Sequence, residues 1–371
     1  MPRYILTING GSSSVKVALF ESGATLEKKS HASIKSPNSQ DAAGGVFQWL
    51  KSQADLSDIA AIGHRIVHGG PRYTDHSRIS SELIDQLRGL SPIDPNHLPG
   101  EIALIEAFQK HCPTTPQVAC FDTVFHRDLP DVAKRLPLPR KYADAGIRRY
   151  GFHGLSYAYL MEELTRQTGQ AAANGRVILA HLGAGASMAA VKDGRCIDTT
   201  MSFTPTAGLV MATRTGDLDP GVLVYLMREE KLAADEIDEL INKKSGLLGV
   251  SSSTSDMRDL LSQRATNRDA ALAIDLFCYQ ARKWIGAFAA ALGGLDTIVF
   301  SGGIGENSPE VRSQVCAELG YLGATIDGPQ NKASAPVIST SESQVIVRVI
   351  PTDEELMIAK IVQRILARGT A

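Results

Sequence analysis

The stretch "ILTINGGSSSVKVALFESG", Ile5–Gly23, decides the fold. Ile5, Leu6 and Ile8 mark a strand, and two glycines with three serines mark a tight turn. Val15, Val17 and Leu19 then alternate with Lys16, Ala18 and Phe20, the period of two that marks a second strand. A Gly/Ser turn leaving a strand suits phosphate, because its backbone N–H groups are free to point at an anion. The usual phosphate loop runs on into a helix. This one runs into a strand, so the sequence predicts a phosphate site built on a hairpin.

Residues 58–68, "DIAAIGHRIVH", and 117–125, "QVACFDTVF", are further strand-like apolar runs. Between them, 101–111, "EIALIEAFQKH", has helical spacing, and the alternation predicts an α/β fold. A second strand–turn–strand segment, "VILAHLGAGASMAAVKDG", follows at 177–194. Sliding it onto the first sets Gly183 on Gly10 and Ser187 on Ser14, which suggests a duplicated architecture. Two unrelated hairpins are the plainer alternative.

A third Gly-rich turn, "TIVFSGGIGENSPEVRSQV" at 297–315, reads strand, loop, helix. Ser308 is placed as an N-cap, Pro309 as the first helical residue, and Glu310 at the positive helix end. Such a turn suits a nucleotide. It has G-x-G only at Gly303–Gly305, and the chain has no G-x-x-x-x-G-K-[ST], which disfavours a P-loop NTPase and a typical dinucleotide enzyme. Thr352 and Glu355 have capping-box spacing ahead of a last helix with Leu356, Ala359, Ile361, Val362, Ile365 and Leu366 on its apolar face.

A length of 371 residues suits two domains. Lys and Arg number 38 against 40 Asp and Glu, so no general attraction to nucleic acid or to an anionic membrane is expected. The five cysteines are scattered, with no CxxC and no zinc-ligand spacing, as for free thiols in a reducing cytosol. Asn9 interrupts the N-terminus before any signal-type apolar region, and the apolar stretch near 285–295 is too short to span a bilayer. A cytoplasmic protein is the expectation.

Arg65 in "GHRIVHGG" and Arg214 in "MATRTGDLDP" lie where a planar guanidinium can meet phosphoryl or carboxylate oxygens. Exposed or ion-paired arginines are the plainer reading of each. Asp122 in "CFDTVFH" suits either Mg²⁺ or a turn cap. His153 follows two aromatics in "YGFHGLS", and His64, His68, His126 and His181 sit beside strand-like runs, where a lone His is commonly structural. Glu355 has a capping task, which leaves Glu354 the freer to reach metal. Spacing alone ends at an ATP-type phosphate binder of α/β class.

In one order the chain carries "TINGGSSSVKVALF", "GHRIVHGG", "CFDTVFH", "RRYGFHG", "HLGAGAS", "MATRTGDLDP", "KKSGLLGVS", "FSGGIGENS" and "PTDEEL". The ordered set resembles the acetate kinase family, the acyl kinases, along nearly the whole chain. The resemblance implies a duplicated actin-like, sugar-kinase-like (ribonuclease H-like) two-domain fold with a nucleotide cleft between domains. The domains would be 1–148 plus 357–371, and 149–356, with a hinge near 148.

It also implies a chemistry: ATP plus acetate or propionate giving ADP plus acyl phosphate. By the resemblance Arg65, Asp122, His153 and Arg214 are catalytic. Asn9, Ser12, Ser14, Lys16, His181, Gly183, Gly185, Asp256, Arg258, Gly303, Ile304, Gly305 and Asn307 bind nucleotide or phosphate. Val67, Ile93, Phe152 and Pro205 wall the acid pocket. Asn9 and Glu354 hold Mg²⁺, or Mn²⁺ in its place, and the enzyme is a homodimer. A butyrate-using or pyrophosphate-dependent relative and a non-catalytic ATP-binding switch are the alternatives. Five departures stand out: Asp94 where His is common, unless a shifted alignment lets His97 serve; Ala184 where Asn is usual; "GFHGLSY" where T-S-H usually follows the histidine; Ala207 where Glu is usual; and a shortened stretch between 23 and 58.

Overall fold

The computed structural model describes residues 3–368 except 12, 13, 24 and 36–38. It forms two compact units: Met1–Arg127 with Phe152–Tyr159 and Asp353–Ala371, and Asp128–Gly151 with Leu160–Thr352.

The first unit is built on a six-stranded sheet. Its strands are β1 (Tyr4–Gly10), β2 (Ser14–Glu21), β3 (Glu27–Lys35), β4 (Ile59–Ile66), β5 (Ser77–Arg78) and β6 (Gln117–Phe121), in the order β3-β2-β1-β4-β6-β5. The second unit has β7 (Val177–Leu182), β8 (Ala186–Lys192), β9 (Arg195–Thr199), β10 (Thr297–Ser301) and β11 (Ile346–Val349), in the order β11-β10-β7-β8-β9. Read from the other edge, the second order is β9-β8-β7-β10-β11, the same as β3-β2-β1-β4-β6. In each, two antiparallel pairings are followed by two parallel ones. The duplication expected from two short hairpins therefore extends through five strands of each sheet, as in the actin-like fold.

The ungapped slide of one hairpin onto the other does not survive. The pair Gly10–Val15 closes the first turn, and the pair Leu182–Ala186 closes a tighter second one. No single offset aligns both strands.

β2 forms as its alternation predicts, and the sheet is covered on both faces. Val15, Val17 and Leu19 pack with Val46, Leu50, Leu104 and Phe108 from the helices Ser39–Gln53 and Leu98–His111. Ala18 and Phe20 pack with Ile358, Ile361 and Val362 of the last helix, Glu354–Arg368. Each large apolar side chain so buried contributes about 1.5–3 kcal/mol. The last helix lies close against β4, since a Cβ on Gly63 would fall 2.4 Å from Ile358 Cγ2 and 2.7 Å from Val362 Cγ2.

Two helix starts differ from the expectation. Asp353, not Thr352, caps the last helix, its Oδ1 accepting from the Leu356 N–H at 2.9 Å. The Thr352–Glu355 box does not form, because the Thr352 N–H donates to Glu306 at 3.1 Å and Glu355 turns to Asn9. In the third Gly-rich turn, Gly302–Asn307 is already a helix rather than a loop, and Pro309 opens the next one, Pro309–Cys316. Ser308 occupies the N-cap position, but its side chain makes no capping bond.

Candidate active site

In the first unit, the parallel order of β1, β4 and β6 brings their C-terminal ends side by side, the position at which open α/β sheets bind ligands. Arg65 is the penultimate residue of β4, and Asp122 directly follows β6. Arg65 Nη2 and Nε donate to Asp122 Oδ2 at 2.6 and 3.1 Å. Arg65 Nη1 donates to the Gly10 carbonyl at 3.0 Å and reaches Asn9 Oδ1 at 3.4 Å. Asn9 Nδ2 in turn donates to Glu354 Oε2 at 2.8 Å and Glu355 Oε1 at 3.0 Å.

The Arg65 side chain is 13% exposed and that of Asp122 is fully buried. Burial works against the Arg65 charge, but the carboxylates of Asp122, Glu354 and Glu101 outweigh it and raise the guanidinium pKa further. Burial pushes the Asp122 carboxyl up from its ordinary value, against the pull of Arg65. The guanidinium is thus held charged among more carboxyl groups than it can neutralise.

The turn carrying His153 is fitted to this corner. His153 sits at φ 58°, in the left-handed region. Gly154 opens the helix Gly154–Thr168, and a Cβ on it would fall 1.9 Å from the Asp122 carbonyl oxygen, so only glycine fits. Beside it, His126 bonds the Phe152 carbonyl at 2.9 Å and His68 lies edge-on to the Phe152 ring. Val67 and Phe152 are buried, while Ile93 is half-buried. On the hairpin, Asn9 pairs with Lys16 and the Gly11 N–H donates to the Ser14 carbonyl at 2.9 Å. Ser12 lies outside the described residues.

The second unit contains a cavity of about 820 Å³. Gly183, Asp256, Arg258, Gly303, Ile304 and Asn307, all expected at the nucleotide, line it. Met257, Leu261 and Ile304 supply apolar surface, and Arg264 and Glu310 complete the rim. Asp256 caps the helix Met257–Gln263 and holds the Arg258 guanidinium at 2.6 Å. Hydrogen bonds from Arg258 bring the Asp256 pKa down to about 2. Gly183 closes its turn on the Gly185 carbonyl at 3.0 Å. Gly305 does not line the cavity; it is buried, and its carbonyl accepts from Arg312 at 2.8 Å. His181 ends no strand; it pairs with Ser187 and Ser301 within the sheet. Arg214 donates to the Pro205 carbonyl at 3.1 Å.

Glu101, Glu306 and Arg312 also belong to these corners, though no sequence motif marks them. Glu101 stands in an apolar helical stripe with Ile105 and Phe108, and an acid in such a stripe was the available signal. Glu306 takes the N–H groups of Gly302 and Thr352. The fully buried Arg312 binds the carbonyls of Gly305, Glu306 and Asn331, ending the glycine-rich helix without a carboxylate partner. Only folding reveals the last two, because most of their partners are backbone atoms, joined by the Ser301 and Ser334 hydroxyls and the Asn331 side chain.

The family model for the acetokinase family matches residues 24–360. The chain belongs to the acetokinase family. An acetate kinase of Rhodopseudomonas palustris is 42% identical over 399 aligned residues, covering 100% of both chains. One from Clostridium botulinum is 46% identical over 319 residues, covering 85% of this chain and 80% of its own. Among solved structures, a propionate kinase from Francisella tularensis matches with a TM-score of 0.88 at 35% identity, covering 97% of this chain and 98% of that one. An acetate kinase from Porphyromonas gingivalis matches with a TM-score of 0.84 at 37% identity, covering 98% and 100%. As an acetokinase the protein is an enzyme, a kinase whose acceptor is a carboxyl group, and the family implies ATP as its co-substrate. Within this acetokinase, the departure at Asp94 is matched locally: Asp94 is buried and pairs with His97 Nδ1 at 2.8 Å.

Proposed function

We propose that this acetokinase transfers the γ-phosphoryl group of ATP to acetate or propionate by direct in-line displacement, giving ADP and an acyl phosphate. The observation that carries the reading is Arg65, a nearly buried guanidinium held at the strand ends by Asp122 and Asn9 beside the first phosphate turn.

A short-chain acid is ionised at neutral pH, so its attack needs no general base. The barrier is the approach of one anion to another, and positioning and electrostatic stabilisation lower it. Arg65 orients the carboxylate. Arg214 and His153 stabilise the transferring phosphoryl oxygens, and His181 contacts phosphate. Asn9, Ser14 and Lys16 line the first phosphate turn, and the second-unit cavity takes the nucleotide through Gly183, Asp256, Arg258, Gly303, Ile304 and Asn307. Val67, Ile93, Phe152 and Pro205 face the alkyl group, where one methylene is worth roughly 1–3 kcal/mol.

No cluster of three His, Cys, Asp or Glu among the described residues forms a metal site by itself. The donors nevertheless suit a hard cation completed by phosphate and water: Asn9 and Glu354 are oxygen ligands, and the buried Asp122 Oδ1 has no hydrogen bond. Asn9 and Glu354 would hold Mg²⁺ or Mn²⁺, which supplies neutralisation of phosphate charge when bound.

We propose a functional division into a 1–148 plus 357–371 domain and a 149–356 nucleotide domain; by contacts, 128–148 group with the second unit, and 152–159 and 353–356 with the first. We place the enzyme in the cytoplasm, in keeping with five buried free thiols and the lack of a membrane-length apolar helix among the described residues. A homodimer is supported by the helix Pro220–Glu229, which exposes Val222, Val224, Tyr225 and Met227; light scattering checks it.

Hydroxylamine trapping tests the reaction. Acetate and propionate with ATP are expected to yield acyl hydroxamates. Product only with butyrate or only with pyrophosphate would move the assignment to those relatives, and no product with any pair would end it. Chiral γ-phosphoryl ATP should give inversion; retention would exclude direct displacement.

A further inference from the structure

Glu101 is 5% exposed in the first turn of the helix Leu98–His111. Both of its carboxyl oxygens lie within hydrogen-bond reach of the Val67 N–H, at 3.2 and 3.1 Å. Val67 is the residue after β4 and two beyond Arg65. Val67 is 2% exposed. Glu101 also passes beside the first phosphate turn: a Cβ on Gly10 would lie 3.9 Å from Glu101 Cγ. The charged groups facing it are Arg65 from β4, Asp94 from the turn before its own helix, and Asp122 after β6. Burial raises its pKa well above the ordinary value, and Asp94 and Asp122 add to the rise while Arg65 and the Val67 N–H oppose it.

An apolar side chain would fill this place in the stripe at less cost than a buried acid. What the carboxyl adds is a directed bond to one backbone N–H, at the point where β4 delivers Arg65. We propose that Glu101 is a positioning residue of the acid pocket: by pinning the Val67 backbone it sets the alkyl wall and the reach of Arg65 toward the acid. The inference rests on the acyl kinase reading above.

Steady-state kinetics with acetate and propionate, at varied ATP, test it on purified wild type, Glu101→Gln, Glu101→Asp and Glu101→Ala. Glu101→Ala leaves the Val67 N–H buried without an acceptor, so the KM for acetate should rise about tenfold or more while the KM for ATP stays within about twofold. With the wall released, the ratio of kcat/KM for propionate over acetate should rise by about threefold. Glu101→Gln keeps an amide oxygen as acceptor and should stay within about threefold of wild type. If Glu101→Ala does not fold, Glu101→Asp carries the test: its shorter reach draws Val67 back and should raise the acid KM alone.

An unchanged acid KM and acid ratio in the folded Ala or Asp variant would overturn the proposal. So would equal losses toward ATP and acid, or a Gln variant as impaired as Ala. A wild type that forms no acyl phosphate would overturn the functional reading and this inference together; an active wild type with an indifferent Glu101→Ala overturns this inference alone.

Discussion

At the end of β4 the first unit presents a charged side chain, and at the end of β10 the second presents the start of a helix. Arg65 sits in a nearly closed corner and is bound to Asp122, Asn9 and the Gly10 carbonyl. Gly302 has φ 76°, and a Cβ on it would fall 2.7 Å from the Leu182 carbonyl oxygen, so no side chain fits there. On the proposed function, one strand order thus supports two kinds of anion site. The first uses buried charges that depend on one another, since a lone buried ion is costly. The second uses glycine backbone and a cavity rimmed by a solvated Arg258, 89% exposed in its side chain. Charges should therefore be coupled to stability in the first region and separable from it in the second.

The largest expected break is Arg65→Ala. Turnover should fall about 10²–10³-fold with loss of a buried transition-state charge. Asp122 would be left buried and unpaired, at a cost of about 3–5 kcal/mol in urea unfolding. Adding Asp122→Asn should recover much of the stability and none of the turnover. A double variant as unstable as the single would show that the pair is not the source of the coupling.

Gly302→Ala tests the other side. Strain at positive φ and the close Leu182 carbonyl should cost roughly 1–3 kcal/mol. The effect on kinetics should fall on the KM for ATP, leaving that for the acid unchanged. An equal rise in both would dissolve the contrast between the regions.

Acids in the two regions should also respond to pH with opposite sign. Glu101 has a raised pKa in the folded protein, so the folded state holds its proton more tightly. Its contribution to stability is complete below the ordinary value of 4.5 and is lost as the pH rises through the folded value. Relative to Glu101→Gln, the wild type should lose stability as the pH rises. Asp256 is depressed to about 2, so its contribution is present above 3.8 and lost as the pH falls through about 2. Screening at this open site keeps that contribution under about 1 kcal/mol. Unfolding curves across pH for Glu101→Gln and Asp256→Asn check both signs, and matching slopes would refute the distinction.

The smallest effect belongs to Arg258→Ala. Its stability should be indistinguishable from wild type, with only a several-fold rise in the ATP KM. A large stability loss there would mean that the second region is as coupled as the first.

Much of the candidate site was legible because its residues lie at strand ends and in glycine-rich turns. Arg65, Asp122 and Asn9 are found together, and six of the expected nucleotide residues line one cavity. What could not be read were partners distant in sequence. Glu355 looks like a cap from Thr352–Glu355 spacing, yet its carboxylate accepts from Asn9, 346 positions away. Gly305 shares a motif with Gly303, but the turn of the short helix buries it under Arg312. Glu101 has the spacing of a core residue and the chemistry of a site residue, and only its distance to Val67 separates the two.

The sequence alone determined the elements that local chemistry sets: strands from alternation, turns from glycine and serine, and helices from apolar stripes, while the sheet order established the duplication that the two hairpins only suggested. Tertiary structure decided which charges meet. Pairing among Arg65, Asp122, Asn9 and Glu354 arises from the parallel order of β1, β4 and β6 and from a last helix packed beneath them, and burial there makes each charge depend on its neighbours. Local propensity acts over a few residues, whereas that dependence acts across the whole sheet.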